Sequence, residues 1–308
     1  MAAQVESHDT KSMQLDQLEE HRNSYPPLPA YEAGPNSDLP AVSPSTSTSS
    51  LPQYEDVAGS SASPSGFTPT LNLQVENRGV AMVALPLPPR PVPIDVYAVN
   101  QDGTLGALAY QSVRQERSSG NSTLHRGSGN RELLSTSTYR FGPGRPPKIQ
   151  LCGVEGQQHL PGFSEELAVE GNSPRTRAAR IRTHLGTFSW RYASKAEREE
   201  VGGSNVHSLL VLDRITTVEL QGGKTGEQAR RVAQLVRDDE FRTAGSSKRS
   251  AGNGGRLMMD LREWSGGKVE AGWMEVFVVT SLLVMLKREV DRRRAVQFAV
   301  IMGGGGGS

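Results

Sequence analysis

The sequence predicts a mainly β (α+β) fold: an antiparallel β-barrel around a hydrophobic C-terminal helix, preceded by a disordered tail. Three observations lead to it. From Leu71 onward, short β-branched runs alternate with Gly-, Ser- and Asn-rich turns, which is the texture of strands. Close to the end lies one strongly apolar segment, residues 276–286, VFVVTSLLVML. Ahead of both stands a region that cannot build a core. Of the 34 residues from 37 to 70, 19 are Ser, Thr or Pro, and such a stretch buries too little apolar surface to offset the entropy of ordering its backbone.

The expected organisation is therefore a disordered tail over 1–70, a barrel domain over 71–302 and a flexible Gly-rich tail over 303–308, GGGGGS, whose composition is that of a linker. LNLQVENRG and VAMVALP open the domain as strands. Residues 86–93, PLPPRPVP, force an extended connection, because each proline fixes its own φ and turns its predecessor away from helix. Their PxxP spacing also suits an SH3 ligand, but a position between two strands favours an internal crossover. Residues 94–113 form a hairpin around Asn100-Gln101-Asp102-Gly103, where Asp-Gly readily supplies positive φ.

Further strands are expected at 133–141, 148–151, 179–192, 208–218, 231–236 and 256–264. In the segment 179–192, Ile181, Thr183 and Leu185 alternate with Arg180, Arg182 and His184, and after Gly186 the apolar parity moves to Phe188, Trp190 and Tyr192. That shift is expected to be a β-bulge in one continuous strand. Residues 118–130 and 244–255 are expected to be mobile insertions, and the charged stretch 195–204 a short helical or disordered excursion.

The last element is a helix over 273–294, with Glu275 near its start and Lys287, Arg288, Arg292, Arg293 and Arg294 near its end, an arrangement that complements the helix dipole. Its apolar run of 11 residues measures roughly 17 Å as a helix against a hydrocarbon core of about 30 Å. A segment of that length, apolar on nearly all sides, is expected to lie inside the protein's own core.

Charge is divided along the chain. Residues 1–70 carry nine acidic and two basic side chains, and the rest carries 24 acidic and 32 basic. The acidic tail either simply aids solubility or shields the basic body from nucleic acid and lipid. No nucleic-acid partner is expected. The single cysteine, Cys152, excludes an intramolecular disulfide and a Cys-based zinc site. The N-terminus has no apolar run of the signal-peptide kind, so the expected location is the cytoplasm, with a peripheral position at a membrane as an extension.

The order and texture of these elements, with STYRFGPGRPPKIQL, LGTFSWRY, SLLVLDRI, RRVAQLVRDDEF, GNGGRLMMDL and WMEVFVVTSLLVMLKREVDRRR, resemble the tubby C-terminal-like superfamily and a fungal branch of it. That superfamily includes tubby, LURP-one-related and scramblase-like proteins. The resemblance implies a closed antiparallel barrel around a hydrophobic helix; tubby itself binds phosphoinositides through basic surface residues, but that site has no position-by-position match here and its ligand is not carried over. Arg175, Arg177, Arg180 and Arg182 are the candidate anionic-lipid patch. Alternate strand positions face opposite sides, so only a subset acts together.

The tail carries two LPxY motifs, Leu28-Pro29-Ala30-Tyr31 and Leu51-Pro52-Gln53-Tyr54, each followed by acid. They resemble the PY ligands of WW domains, with leucine replacing the first proline of the commoner form. Leu28, Pro29, Tyr31, Leu51, Pro52 and Tyr54 are thus candidate WW-binding residues, and the resemblance implies a WW-domain partner such as a HECT-type ubiquitin ligase.

No catalytic residue, cofactor or metal site is expected. The six histidines are scattered, and the chain has no GxSxG elbow and no GK[ST] phosphate loop. GNGG, residues 252–255, precedes a strand rather than a helix and is expected to be a turn. The leading expectation is a non-catalytic binding or adaptor protein. Its alternative is a scramblase-like, lipid-modulating membrane protein whose apolar helix enters a bilayer. A hydrolase using Cys152, His184 or the cluster Asp238, Asp239 and Glu240 is the third class.

Overall fold

Thirteen strands, each antiparallel to its neighbours, form the wall of the domain. In the computed structural model of the chain the described residues are 66–82, 92–116, 119–127, 132–139, 145–152, 166–171, 177–220 and 224–303. The strands are β1 (Leu71–Glu76), β2 (Ile94–Val99), β3 (Leu105–Val113), β4 (Ser122–Arg126), β5 (Leu133–Thr138), β6 (Lys148–Leu151) and β7 (Glu166–Ala168). They continue with β8 (Glu170–Gly171), β9 (Ala179–Thr183), β10 (Gly186–Tyr192), β11 (Ser208–Leu220), β12 (Lys224–Arg237) and β13 (Gly255–Met259).

Every strand but one pairs with its successor in sequence, and β13 returns to pair with β1, Leu71 opposite Met259. The exception is β7 and β8, which stand at opposite ends of the sheet order while only Val169 separates them in the chain. The two edges therefore meet at Val169, whose N–H donates to Pro147 O at 2.8 Å. The result is a nearly closed barrel, which leaves little exposed strand edge.

Inside it runs α2 (Lys268–Gly303); a shorter helix, α1 (Lys195–Gly202), lies between β10 and β11. The stretch from 277 to 286 is buried throughout, because the wall surrounds the helix and no face needs to be polar. Two polar residues interrupt it, and both bond to the wall. Thr280 Oγ1 meets Ser135 Oγ at 2.7 Å, and Trp190 Nε1 donates to Ser281 Oγ at 3.0 Å. The end of the barrel where α2 enters is plugged by aromatic rings: Trp273 stacks on Phe277 with centroids 5.2 Å apart, and Phe188 lies 5.2 Å from Phe277 and 6.3 Å from Trp264.

Outside the wall, Val206, Leu209, Val211 and Val236 form a second small core, with Val201 of α1 and Phe241 against it. α1 is helical because Ser194 and Glu197 cap it reciprocally.

Four sequence expectations change. Residues 179–192 are a hairpin of two strands, not one bulged strand: Gly186 pairs with Thr183, and Gly186 takes φ +128°. A two-residue corner shifts apolar parity just as a bulge does. Residues 118–130 contain β4, a short polar strand whose one buried apolar side chain is Leu124. The strand expected over 256–264 stops at Met259 and gives way to a 3₁₀ turn, Arg262–Trp264. Residues 251–255 are buried against α2; a Cβ on Gly252 would lie 2.6 Å from Val290 Cγ2 and one on Gly254 1.9 Å from Val75 O. Glycine permits that close approach.

Candidate functional site

α2 is longer than its sequence pattern suggests, and the extra length lies where it leaves the barrel. Beyond the buried run come Arg292, Arg293 and Arg294, and then Val296, Phe298, Val300 and Ile301, which are 52–69 % exposed. A helix of soluble type does not normally end on four exposed apolar side chains.

Beside these turns a cleft of about 270 Å³ opens between α2, the ends of β10 and β12, and the loop at 248–253. Seven cationic side chains line it, among them Arg177, Arg237, Lys248, Arg249, Arg292 and Arg293, against two carboxylates, Asp238 and Glu289. Five positive charges are in excess.

Glu289 is the organising residue. Its side chain is 10 % exposed and faces Arg237, itself 6 % exposed, whose Nη1 and Nη2 both lie 3.1 Å from Glu289 Oε1. The Tyr192 hydroxyl donates to the same oxygen, and Gly252 N donates to Oε2 at 2.8 Å. The carboxylate thus ties helix, wall and loop together. Burial, reinforced by Glu289, pushes the Tyr192 hydroxyl well above its ordinary pKa, which keeps it a neutral donor.

Around this buried knot the outer cations divide into two groups. Arg242 and Lys248 are held by Asp239 at 2.9 and 3.1 Å, and these contacts with His207 hold the Asp239 carboxyl down at about 2, Lys248 contributing most. Arg177 lies over the Tyr192 ring at 5.6 Å, and Arg293 Nη2 donates to Arg249 O at 3.0 Å. Arg177, Arg249, Arg292 and Arg293 have no carboxylate partner among the described residues. No family model, curated protein or solved structure matches the chain.

Of the four arginines singled out from sequence, Arg177 reaches this cleft. Arg180 is on the outer face of β9, in a two-pronged pair with Glu227 at 2.8 and 3.1 Å. Arg182 is exposed two residues further along, and Arg175 lies outside the described residues. So do Leu28, Pro29, Tyr31, Leu51, Pro52 and Tyr54.

The side chains considered for hydrolysis are used elsewhere. Cys152 is half-buried, and burial pushes its thiol up. His184 meets Trp273 edge to face at 4.7 Å. Asp238 Oδ1 accepts from Glu240 N at 2.9 Å and Phe241 N at 2.6 Å, closing a turn. Sequence reasoning missed Arg237, Arg249 and Glu289. The RRR run at 292–294 ahead of AVQFAV was the available signal, but it reads equally as a helix end complementing its dipole.

Proposed function

We propose that this is a tubby-like, non-catalytic binding protein whose barrel docks on an anionic membrane surface and whose N-terminal tail recruits WW-domain partners. One observation supports the first half above all: four arginines with no carboxylate partner among the described residues stand beside four exposed apolar side chains at the end of α2. Peripheral attachment needs that combination, since attraction to anionic lipid contributes about 1 kcal/mol per Lys or Arg and shallow insertion of apolar groups supplies the second signal. A binding role is supported by Glu289, whose oxygens already accept from Tyr192, Arg237 and Gly252 and so serve to hold the cleft together.

Flotation of the full chain with vesicles tests this. Binding is expected to phosphatidylserine or phosphoinositide vesicles and not to neutral ones, and to weaken with salt. The double variant Arg249→Gln, Arg292→Gln should lose about thirtyfold in affinity, and Phe298→Ser with Ile301→Ser should lose the salt-resistant part. Equal flotation on neutral vesicles, or indifference to both variants, refutes the reading. For the tail, Tyr31→Ala with Tyr54→Ala should abolish capture by a tandem WW array; unchanged capture removes that half.

A scramblase-like activity is the second reading, favoured by one feature: residues 268–301 of α2 are long and apolar enough to cross a bilayer, although 67 % of the most apolar window is buried in the barrel. Transfer of labelled lipid between leaflets of reconstituted vesicles decides between them.

A further inference from the structure

A second opening at the same end of the barrel differs in character from the cationic cleft. It is a cavity of about 610 Å³ between α2 and the wall formed by the ends of β1, β3 and β5 and the starts of β2 and β4. That volume is within the range of small-molecule sites, roughly 300–1,000 Å³. Its floor is apolar: Leu283, Leu286 and Val290 of α2 face Val80, Val92 and Ile94.

Cations sit at one side of this apolar space. Arg78, Arg114 and Lys287 line it with one carboxylate, Glu76, and Arg294 lies close enough to Lys287 to disfavour the ammonium's charge, as Arg114 does that of Arg294. Beyond the lining, Asp291 pairs with Lys287, whose ammonium also lies 5.0 Å from the Tyr139 ring centroid. Arg114 has no ion pair among the described residues, and its Nε is buried without a hydrogen-bond partner, as is that of Arg294. Burial, then repulsion from Arg114 and Arg294, together outweigh Asp291 and pull the Lys287 ammonium below its ordinary pKa. Four cations, Arg78, Arg114, Lys287 and Arg294, against two acids, Glu76 and Asp291, at the edge of an apolar cavity is an arrangement that costs stability unless an anion completes it.

We propose that this cavity is a binding site for a single-chain anionic lipid, its acyl chain lying along Leu283, Leu286 and Val290 and its head group accepting hydrogen bonds from Arg114 and Lys287. A free fatty acid and a lysophospholipid with a terminal phosphate share this chemistry. A single chain matches the single apolar track that Leu283, Leu286 and Val290 make along α2. The site is separate from the cationic cleft: the two are lined by different residues of α2, Lys287 and Val290 here and Glu289, Arg292, Arg293 and Val296 there. It stands whether or not the protein docks on membranes.

The test is fluorescence titration of the full chain with cis-parinaric acid, followed by displacement with a fatty acid, the matching lysophosphatidate and the matching fatty alcohol. Saturable binding is expected, with either anion displacing the probe at least about tenfold better than the alcohol, the difference expected of a charge-assisted hydrogen bond. Whichever anion is tighter identifies the head group. Arg114→Leu should remove that preference, Arg114→Lys should restore most of it, and neither should change vesicle flotation or the melting temperature by more than a few degrees. Absence of saturable probe binding, or equal displacement by acid and alcohol in the unsubstituted protein, overturns the proposal. Should Arg114→Leu unfold the chain, the acid-versus-alcohol comparison in the unsubstituted protein still decides.

Discussion

Replacing Glu289 by alanine should destabilise the domain more than any other surface-proximal change, and the structure gives the size of the effect. Arg237 is 6 % exposed and has Glu289 as its ion-pair partner at 3.1 Å; without the carboxylate its charge is buried and unpaired. Breaking a buried pair from one side costs about 3–5 kcal/mol. Tyr192 and Gly252 lose their acceptor at the same time, so the upper half of that range applies. For a domain of this size about 1 kcal/mol moves the melting temperature by about 2–4 °C, which places the expected drop at about 10 °C or more. Far-UV circular dichroism of the full chain on heating, with urea unfolding for the free energy, measures it. The double variant Glu289→Ala, Arg237→Met should recover part of the loss, because it removes the unpaired buried charge. A drop of under about 1 kcal/mol for Glu289→Ala, or no recovery in the double variant, would show that the carboxylate is solvated and that the helix is not tied to the wall at this point.

Two further outcomes follow from the same packing. Gly254→Ala should cost about 3 kcal/mol or more by overpacking, since its Cβ would sit 1.9 Å from Val75 O, whereas Gly103→Ala, at φ +84° with open space around it, should cost only about 1–2 kcal/mol of left-handed strain; chemical denaturation separates them, and equal losses would refute the close approach. Glu197 accepts from Arg191 at 2.8 and 2.9 Å and from Arg231 at 2.8 Å, and Arg191 is the main cause of its carboxyl being held at about 2 rather than its ordinary 4.5. A depressed carboxylate stabilises the fold above its unfolded value and ceases to as it protonates, so stability should decline between about pH 4.5 and 2, and Glu197→Gln should flatten that decline in an acid titration of the melting temperature.

How much of this was readable in the sequence depended on whether a residue's role was local. The hairpin at 94–113 was, because Asp102-Gly103 supplies the turn within four residues: Gly103 takes φ +84° and Gly103 N donates to Asn100 O at 3.0 Å. The enclosure of 276–286 was, because a run of 11 largely apolar residues is too short to span a bilayer and needs cover on every side. Parity alone did not separate a bulge from a hairpin corner at Gly186, since both displace the inward face by one residue. β7 and β8 escaped notice because five residues make both of them, and only the closing of the whole wall brings the two sheet ends they form together. The cleft was not readable for the same reason. Arg237 ends a strand, Arg249 sits in a glycine-rich loop and Glu289 lies mid-helix, and only the closure of the wall brings them together. A run such as AVQFAVIM after RRR carries no mark of exposure; its neighbours decide that.

The same distinction bears on whether α2 can leave the barrel. A helix apolar on all sides satisfies a bilayer and a barrel interior equally, so its composition decides nothing, and the polar side chains around it must. Thr280 and Ser281 could bond to their own backbone in lipid, as Ser281 Oγ already does toward Val278 O at 3.2 Å. The wall has no such recourse. With α2 withdrawn, Trp190 Nε1 and Ser135 Oγ lose their partners in a dry interior, at about 1–3 kcal/mol each, and Phe188, Ile149 and Leu210, all 0 % exposed, lose the surface they pack on at about 1.5–3 kcal/mol apiece. A helix already in an apolar interior gains little by exchanging it for lipid, so its transfer does not offset those penalties. The wall requires the helix more than the helix requires the wall, so under the proposed membrane docking only the exposed last turns would reach lipid while residues 273–286 stay enclosed.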